Sequence, residues 1–506
     1  MRRIWTDTAS GLLALIAGLG FVAPAVSQSL RAEPPLAASD WLSGSLQPPR
    51  QAEGLRRGGG ATPAPNPAPR PRQVAESADT GTVAVTRLGP GNPDGKGTIP
   101  PRKLGLPDDL WSGTPAPDLA RMLAETRPDL PVLRDLLRRL MLAQFRAPPL
   151  AGGVEGGWHL ARVDRLLDMA ALDDAHALIE VAGLSDAERF RRHFDIDLIE
   201  GKEAHACTTM TETPGIAPSY EARIFCLAAS GDWPAAATVF YAADALALIR
   251  PEDAPLLAHF LDDSLVDTSI TLEPPARITP LTFRLFEAIG QPLPTTGLPL
   301  PLARADLRMN GGWKARLDAA ERLARAGVID PALLHAIYTE QRPAASGGSW
   351  DRAAAVQALD AALISDDRAA VGVALDAAFA AFTDTDMGAV LAAIYAPDQS
   401  HPLPDALPDG PGAQALALLQ GFQGSRNPDL PPVLADGLTA EAALPDPAQR
   451  GAALLTAISD TDAGLVGDLP RAARGLAVLR ALGLEAEARQ AAAQIALWPA
   501  LNRGNR

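Results

Sequence analysis

Along most of this chain apolar residues recur at intervals of three and four, the spacing that lines one face of an α-helix. The pattern is sharpest at Ala236, Phe240 and Ala243, which follow the turn Ser230-Gly231-Asp232-Trp233-Pro234. There Gly231 can take the positive φ that ends one helix, Asp232 can cap the next, and Pro234 sits in a first turn where its missing N–H costs nothing. A helical hairpin is therefore predicted around Gly231. Leu119, Met122 and Leu123, then Leu133, Leu136, Leu137 and Leu140, predict an amphipathic pair separated at Pro128. Further helices are predicted over 159–172, 173–182, 251–261, 280–289, 313–326, 331–340, 350–364 and 366–382, with shorter ones reaching Leu497. Two proline-rich breaks interrupt them, at 291–301 and 397–411. The first is the expected division between a half at 117–290 and a half at 302–506.

Composition supports helices. The chain is 47% hydrophobic but only 5% aromatic, and alanine and leucine supply much of the apolar share, which favours close helix packing and leaves little β-branched material for sheets. The hairpin at Gly231 resembles the second half of a tetratricopeptide repeat, in which a glycine, an aromatic, an alanine, a large apolar residue and an alanine fall at these offsets. Looser echoes at Ala170, Gly327, Ser365 and Gly483 are irregularly spaced, unlike a strict array of roughly 34-residue repeats. The expected fold is thus all-α: an irregular tetratricopeptide-like α-solenoid of helical hairpins preceded by a disordered arm.

The N-terminus changes the compartment. Arg2 and Arg3 precede an uncharged run from Gly11 to Val26, with small residues at Ala25 and Ser27. This is the layout of a secretory signal peptide over 1–27, cleaved before Gln28. The run is short beside the roughly 20 residues that span a bilayer, and no later stretch is long and apolar enough, so no membrane span is expected after cleavage. A periplasmic or secreted protein is expected. Cys207 and Cys226 are the only cysteines; in an oxidising compartment they read as a disulfide, and otherwise as two buried thiols.

Residues 28–116 are rich in Pro, Gly and Arg and read as a disordered tether. From Leu46 to Lys103 nine basic residues face four acidic ones, while the whole chain carries a net charge of −15. The tether either is a solvated linker, lies back on the acidic body, or makes peripheral contact with an anionic envelope surface. The acidity argues against nucleic acid as a partner. Two tryptophans interrupt the tether. Trp111 reads as a staple on the first helix, whereas Trp41 reads as a docking anchor for a partner or for the body's own groove.

Catalytic motifs are missing from the sequence. There is no His-Glu-x-x-His, no Gly-x-Ser-x-Gly and no phosphate-binding glycine loop. His193, Asp195, Asp197, Glu200 and His205 are the nearest approach to a metal set, but they read as a solvated stripe, so no metal and no cofactor is expected. The doublets Asp384-Thr385-Asp386 and Asp460-Thr461-Asp462 read as helix caps rather than calcium loops. The best recognition candidate is the glycine loop before Trp350 and Arg352, with Tyr338 and Arg342 on the preceding helix end. The alternative there is that Ser349 caps a helix and Trp350 turns inward.

Trp41-Leu42-Ser43, the break at 291–301 and the run from Tyr338 to Arg352 together resemble a group of secreted alanine- and proline-rich bacterial proteins, some labelled "antifreeze glycopeptide polyprotein". That resemblance implies export but no activity. Helical superhelices of this kind also occur in soluble lytic transglycosylases, which implies a Glu-Ser motif in a further domain; here the only Glu-Ser is Glu76-Ser77, inside the tether. The expected function is a scaffold or assembly factor that binds an envelope protein or peptide. The alternative is an enzyme, or its accessory factor, acting on cell-wall polysaccharide.

Overall fold

The computed structural model describes residues 41–42, 91–262, 271–308, 311–365, 367–396, 412 and 430–502. The signal-like segment, most of the tether up to residue 90 and the break at 397–411 lie outside the described residues. Within these limits the protein is all-α: twenty α-helices and a few 3₁₀ turns, with one isolated bridge between Ile99 and Ala143. No described helix is long and apolar enough to cross a membrane.

The helices gather around three hydrophobic clusters within one compact unit spanning 37–506. The first unites the two ends of that unit. It holds α1 (Ala116–Glu125), α2 (Pro131–Leu142), α3 (Gly157–Asp168) and α4 (Leu172–Ala182), together with α17 (Pro432–Thr439), α18 (Arg450–Asp462), α19 (Leu469–Ala481) and α20 (Glu485–Leu501). The second is built by α12 (Trp313–Arg325), α13 (Pro331–Thr339), α14 (Ser349–Ser365), α15 (Arg368–Thr383) and α16 (Gly388–Ile394). The third gathers α6 (Ala204–Glu212), α7 (Tyr220–Ala229), α8 (Trp233–Ala245), α9 (Ala254–Leu261) and α10 (Pro280–Ala288). The helix α5 (Ala187–Glu200) joins the first cluster to the third, Ile196 and Ile199 facing one and Phe190, Phe194 and Leu198 the other. The short α11 (Ala303–Asp306) packs on α5 and α12.

The hairpin around Gly231 forms as its sequence predicts. Gly231 adopts φ +89°, and Asp232 accepts from the Ala235 amide at 3.2 Å. Behind it Cys207 of α6 and Cys226 of α7 are joined in a disulfide, which closes a loop worth about 3 kcal/mol in the chain-entropy account.

Two expectations need correction. The tether does not extend to residue 116, because residues 91–116 belong to the folded body. Buried Asp94 accepts from the Gly156 and His159 amides at 2.9 and 2.8 Å and so caps α3. Arg162, fully buried on α3, reaches four carbonyls, of Met141, Ala143, Asp94 and Lys96. Trp111 lies between Phe145 and Trp158 and against Gly451 of α18, where an added Cβ would come within 2.5 Å of the indole. The composition of this stretch misleads because few but large apolar anchors, rather than periodic ones, fold it.

Nor does the break at 291–301 divide the body into independent halves. Arg322 donates to the Thr295 and Leu298 carbonyls at 2.8 Å each, and Leu302 is buried in the first cluster. The prolines there end helices without separating what lies on either side.

Two tests follow from this packing. In α19 a Cβ on Gly475 would meet Thr461 Oγ1 at 2.4 Å and the Ala457 carbonyl at 2.7 Å. Gly475→Ala is therefore expected to lower stability by about 1–3 kcal/mol in denaturant melts, overpacking outweighing the better helix propensity; a stabilised variant would contradict the close α18–α19 approach. The second test concerns His159, whose burial, reinforced by Arg162, Arg189 and Arg192, lowers its pKa from 6.5 to about 3. The unfolded chain takes up a proton that the folded one refuses, so stability is complete above pH 6.5 and is lost as pH falls toward 3. Between pH 7 and pH 5 the loss from this residue is about 2 kcal/mol. His159→Leu should flatten the pH dependence by that amount; an unchanged slope would show that the imidazole is not the source.

Candidate functional site

The recognition residues expected from the sequence are mostly consumed by packing. Tyr338 Oη donates to Glu321 Oε1 at 2.9 Å, and Arg352 grips the same carboxylate through Nε and Nη2 at 2.7 and 2.5 Å. All three side chains are buried, so Tyr338 and Arg352 are corrected from partner contacts to a structural triad linking α12, α13 and α14. Desolvation, with the Glu321 charge beside it, pushes the Tyr338 phenol well above its ordinary pKa. Trp350 packs edge-on against Trp313 with ring centroids 4.9 Å apart, and Trp313 Nε1 donates to the Ile337 carbonyl. Ser349, itself buried, donates to Asp318 at 2.6 Å. Of the proposed group only Arg342 remains exposed. The acid that engages both residues, Glu321, is buried on α12 and sits too far away in sequence for the loop's own residues to reveal it.

Trp41 is corrected in the same sense. It and Leu42 are buried in the first cluster, where Arg277 Nη2 donates to the Leu42 carbonyl at 2.8 Å. Of its two sequence readings, the body's own groove is the one occupied.

A polar interior emerges instead along α5. Its sequence, AERFRRHFDIDLIE, alternates charged and apolar residues, yet ten of its fourteen side chains are buried, because α4, α6, α10 and α11 surround it. Buried charge must be paired, and on one side it is. Arg192 holds Asp164 at 2.7 Å and Glu188 at 2.9 Å. Arg191 shares Glu188 at 2.9 Å, and Glu200 is held by Lys202 at 2.8 Å and Arg304 at 3.3 Å.

The other side of α5 carries His193 and Asp197, one turn apart on one face, and the neighbouring α4 brings His176 against them. His193 Nδ1 lies 3.5 Å from Asp197 Oδ2, and His176 Nε2 lies 3.9 Å from Asp197 Oδ1. The two imidazoles face each other with centroids 4.6 Å apart. His193 is 3% exposed and Asp197 4%, so the reading of these residues as a solvated stripe is corrected. His193 Nδ1 has no hydrogen-bond partner. Desolvation, then the nearby His176 and His205, lowers the His193 pKa to about 4. Burial first, then the carboxylate of Glu200, raises that of Asp197 to about 7.

Among the five residues singled out from the sequence, the structure brings His193 and Asp197 together. Glu200 is committed to Lys202 and Arg304, and His205 stands exposed on α6 with its ring 6.2 Å from that of His193. Asp195 is buried elsewhere on the helix. The residue missed, His176, lies on a different helix, and only the α4–α5 contact announces it.

A pocket of about 220 Å³ opens where α2, α12, α13, α16 and α20 converge. Val328, Ile329, Val390 and Trp498 give it apolar walls, with Arg134 and Arg138 at its rim. Both guanidiniums are already engaged, Arg134 by Asp129 and Arg138 by Asp135 and Asp174. No known protein family, curated protein or solved structure matches this chain.

Proposed function

We propose that this chain is an exported helical scaffold in which irregular tetratricopeptide-like hairpins present a docking face to another protein or peptide of the cell envelope. One observation carries the reading. α8 buries Ala236, Phe240 and Ala243 against its neighbours yet is largely apolar around its circumference, leaving Trp233 45% and Tyr241 59% exposed, with Leu246, the residue that caps its C-terminus, 69% exposed. A helix that is hydrophobic all round is normally buried. Exposed aromatic and aliphatic residues gathered on one hairpin are the composition of an interface. Trp233 also packs on Phe260 of α9 with centroids 5.6 Å apart, giving the face a rigid anchor.

Consecutive helices pack on one another through most of the chain, as α7 on α8, α12 on α13, α14 on α15 and α18 on α19 do, which favours stacked hairpins. The disulfide supports export, since such bonds persist in oxidising compartments. The net charge of −15 favours protein over nucleic acid as the partner. On this reading the mature chain begins at Gln28.

A photo-crosslinking residue introduced in living cells at Tyr241 or Leu246 is expected to give one discrete adduct, and the same residue at exposed Arg368 none. Tyr241→Ser combined with Leu246→Ser should abolish an adduct formed from Trp233 while leaving the melting temperature within a few degrees, since exposed sites change stability by about 0.5 kcal/mol or less. Equal adducts at every exposed position, or none at all, would overturn the docking face.

A further inference from the structure

We propose that His176, His193 and Asp197 form a binding site for one divalent metal ion of the zinc class, with the fourth coordination position left to a water molecule. This stands apart from the docking face and does not depend on it.

The geometry argues for a ligand rather than an ordinary buried pair. All three residues offer a ligand atom, and those atoms lie within 4.8 Å of one another. Tetrahedral zinc with bonds near 2.0–2.1 Å holds its ligand atoms roughly 3.3 Å apart. His193 Nδ1 stands 3.5 Å from Asp197 Oδ2 and His176 Nε2 stands 3.9 Å from Asp197 Oδ1; the two imidazoles thus flank the two oxygens of one carboxylate, and binding through either oxygen draws the three ligand atoms inward from their present spread of up to 4.8 Å. His193 and Asp197 share one face of α5, and His176 arrives from the packed neighbour α4. The site thus rests on rigid elements and not on a loop.

An independent feature points the same way. His193 is 3% exposed, yet its Nδ1 faces the carboxylate without the geometry of a hydrogen bond and has no other partner. A buried polar atom left unpaired costs about 1–3 kcal/mol, and a metal at this point would satisfy it. His176 Nδ1 lies 3.8 Å from Glu180 Oε1, one turn along α4. That separation is too long for a hydrogen bond, but it places a carboxylate on the Nδ1 side of the ring and leaves Nε2 turned to Asp197. Two imidazoles and one carboxylate match borderline divalent ions such as zinc, and not the all-oxygen sets of calcium or magnesium. The nearest further histidine, His205, is on the exposed surface of α6. Three protein ligands leave the fourth position to water, the arrangement of reactive rather than purely structural zinc sites.

The test uses the full chain, purified without a histidine tag and dialysed against a chelator. Zinc titrated in competition with a chromophoric chelator should bind at one equivalent with a Kd near or below about 1 µM, and cobalt in its place should give visible ligand-field bands. His176→Ala, at a partly exposed position, and the near-isosteric Asp197→Asn should each weaken zinc binding more than about tenfold and remove the cobalt bands. Melting curves of the metal-free variants confirm that they fold. His335→Gln, which alters a separate histidine–aspartate pair, should bind as the parent does. No binding at about 10 µM zinc, or equal binding by His176→Ala and Asp197→Asn, would overturn the site. A tenfold loss in His205→Ala would overturn the assignment of the fourth position to water.

Discussion

The first turn of α2 cannot complete its own hydrogen bonds, and the way it is completed ties the two ends of the folded body together. Its N-cap residue is Leu130, which has no side-chain acceptor, and Pro131 follows with no N–H. The amides of Asp129 and Leu130 donate instead to Asp462 Oδ1, each at 2.8 Å, and the Val132 amide donates to Gln494 Oε1 at 3.2 Å. Both acceptors come from the far end of the chain. A helix start left unpaired in a buried place loses about 1–3 kcal/mol per group, so α2 is a sound helix only when α18 and α20 lie against it. Arg139 and Glu487, 3.1 Å apart, add a partly exposed pair across the same seam. The doublet Asp460-Thr461-Asp462 does not cap a helix start in its own neighbourhood, as its sequence suggests it should: it lies in the last turn of α18, Asp468 caps the helix that follows, and Asp462 serves the start of α2, more than 300 residues away.

With the ends joined, the body cannot be taken as halves strung on a linker. The proline break at 291–301, the segment 91–116 and the tryptophans at 41 and 111 are all built into shared cores. The same closure creates the pocket beside Arg134 and Trp498. Polar residues then do in the interior what periodic apolar residues do elsewhere: Arg162 gathers carbonyls, Glu321 gathers Tyr338 and Arg352, and Arg192 gathers two acids. Such groups stabilise little in net energy but tolerate few alternative packings, because each would be left unsatisfied in any other arrangement.

What the sequence made legible was local. The helices follow their three- and four-residue spacing, the Gly231 turn forms as its residues dictate, and the paired cysteines bond. Nothing local marks Leu130 as capped by Asp462, Trp111 as seated on Gly451, or His176 as the neighbour of His193, because these are contacts between separate helices. α5 shows why the interior chemistry was hidden. A helix with charges on several faces looks solvated until the helices that cover it are known, and the residues that neutralise it or face it, Asp164, Arg304 and His176, all lie outside it. The tryptophan-bearing glycine loop misled for the opposite reason: Trp350 and Arg352 have the composition of an interface, yet Trp313 and a buried glutamate on another helix claim them.

Amide hydrogen exchange resolved by peptide is the most direct test of the closure, comparing the parent protein with the Asp462→Ala, Gln494→Ala double variant. The account predicts that residues 129–133 are strongly protected in the parent and lose at least about tenfold of that protection in the variant, although the substitutions lie on α18 and α20. If the change stayed confined to the substituted helices, with 129–133 unaffected, the two ends would not be holding each other and the closure would be contradicted.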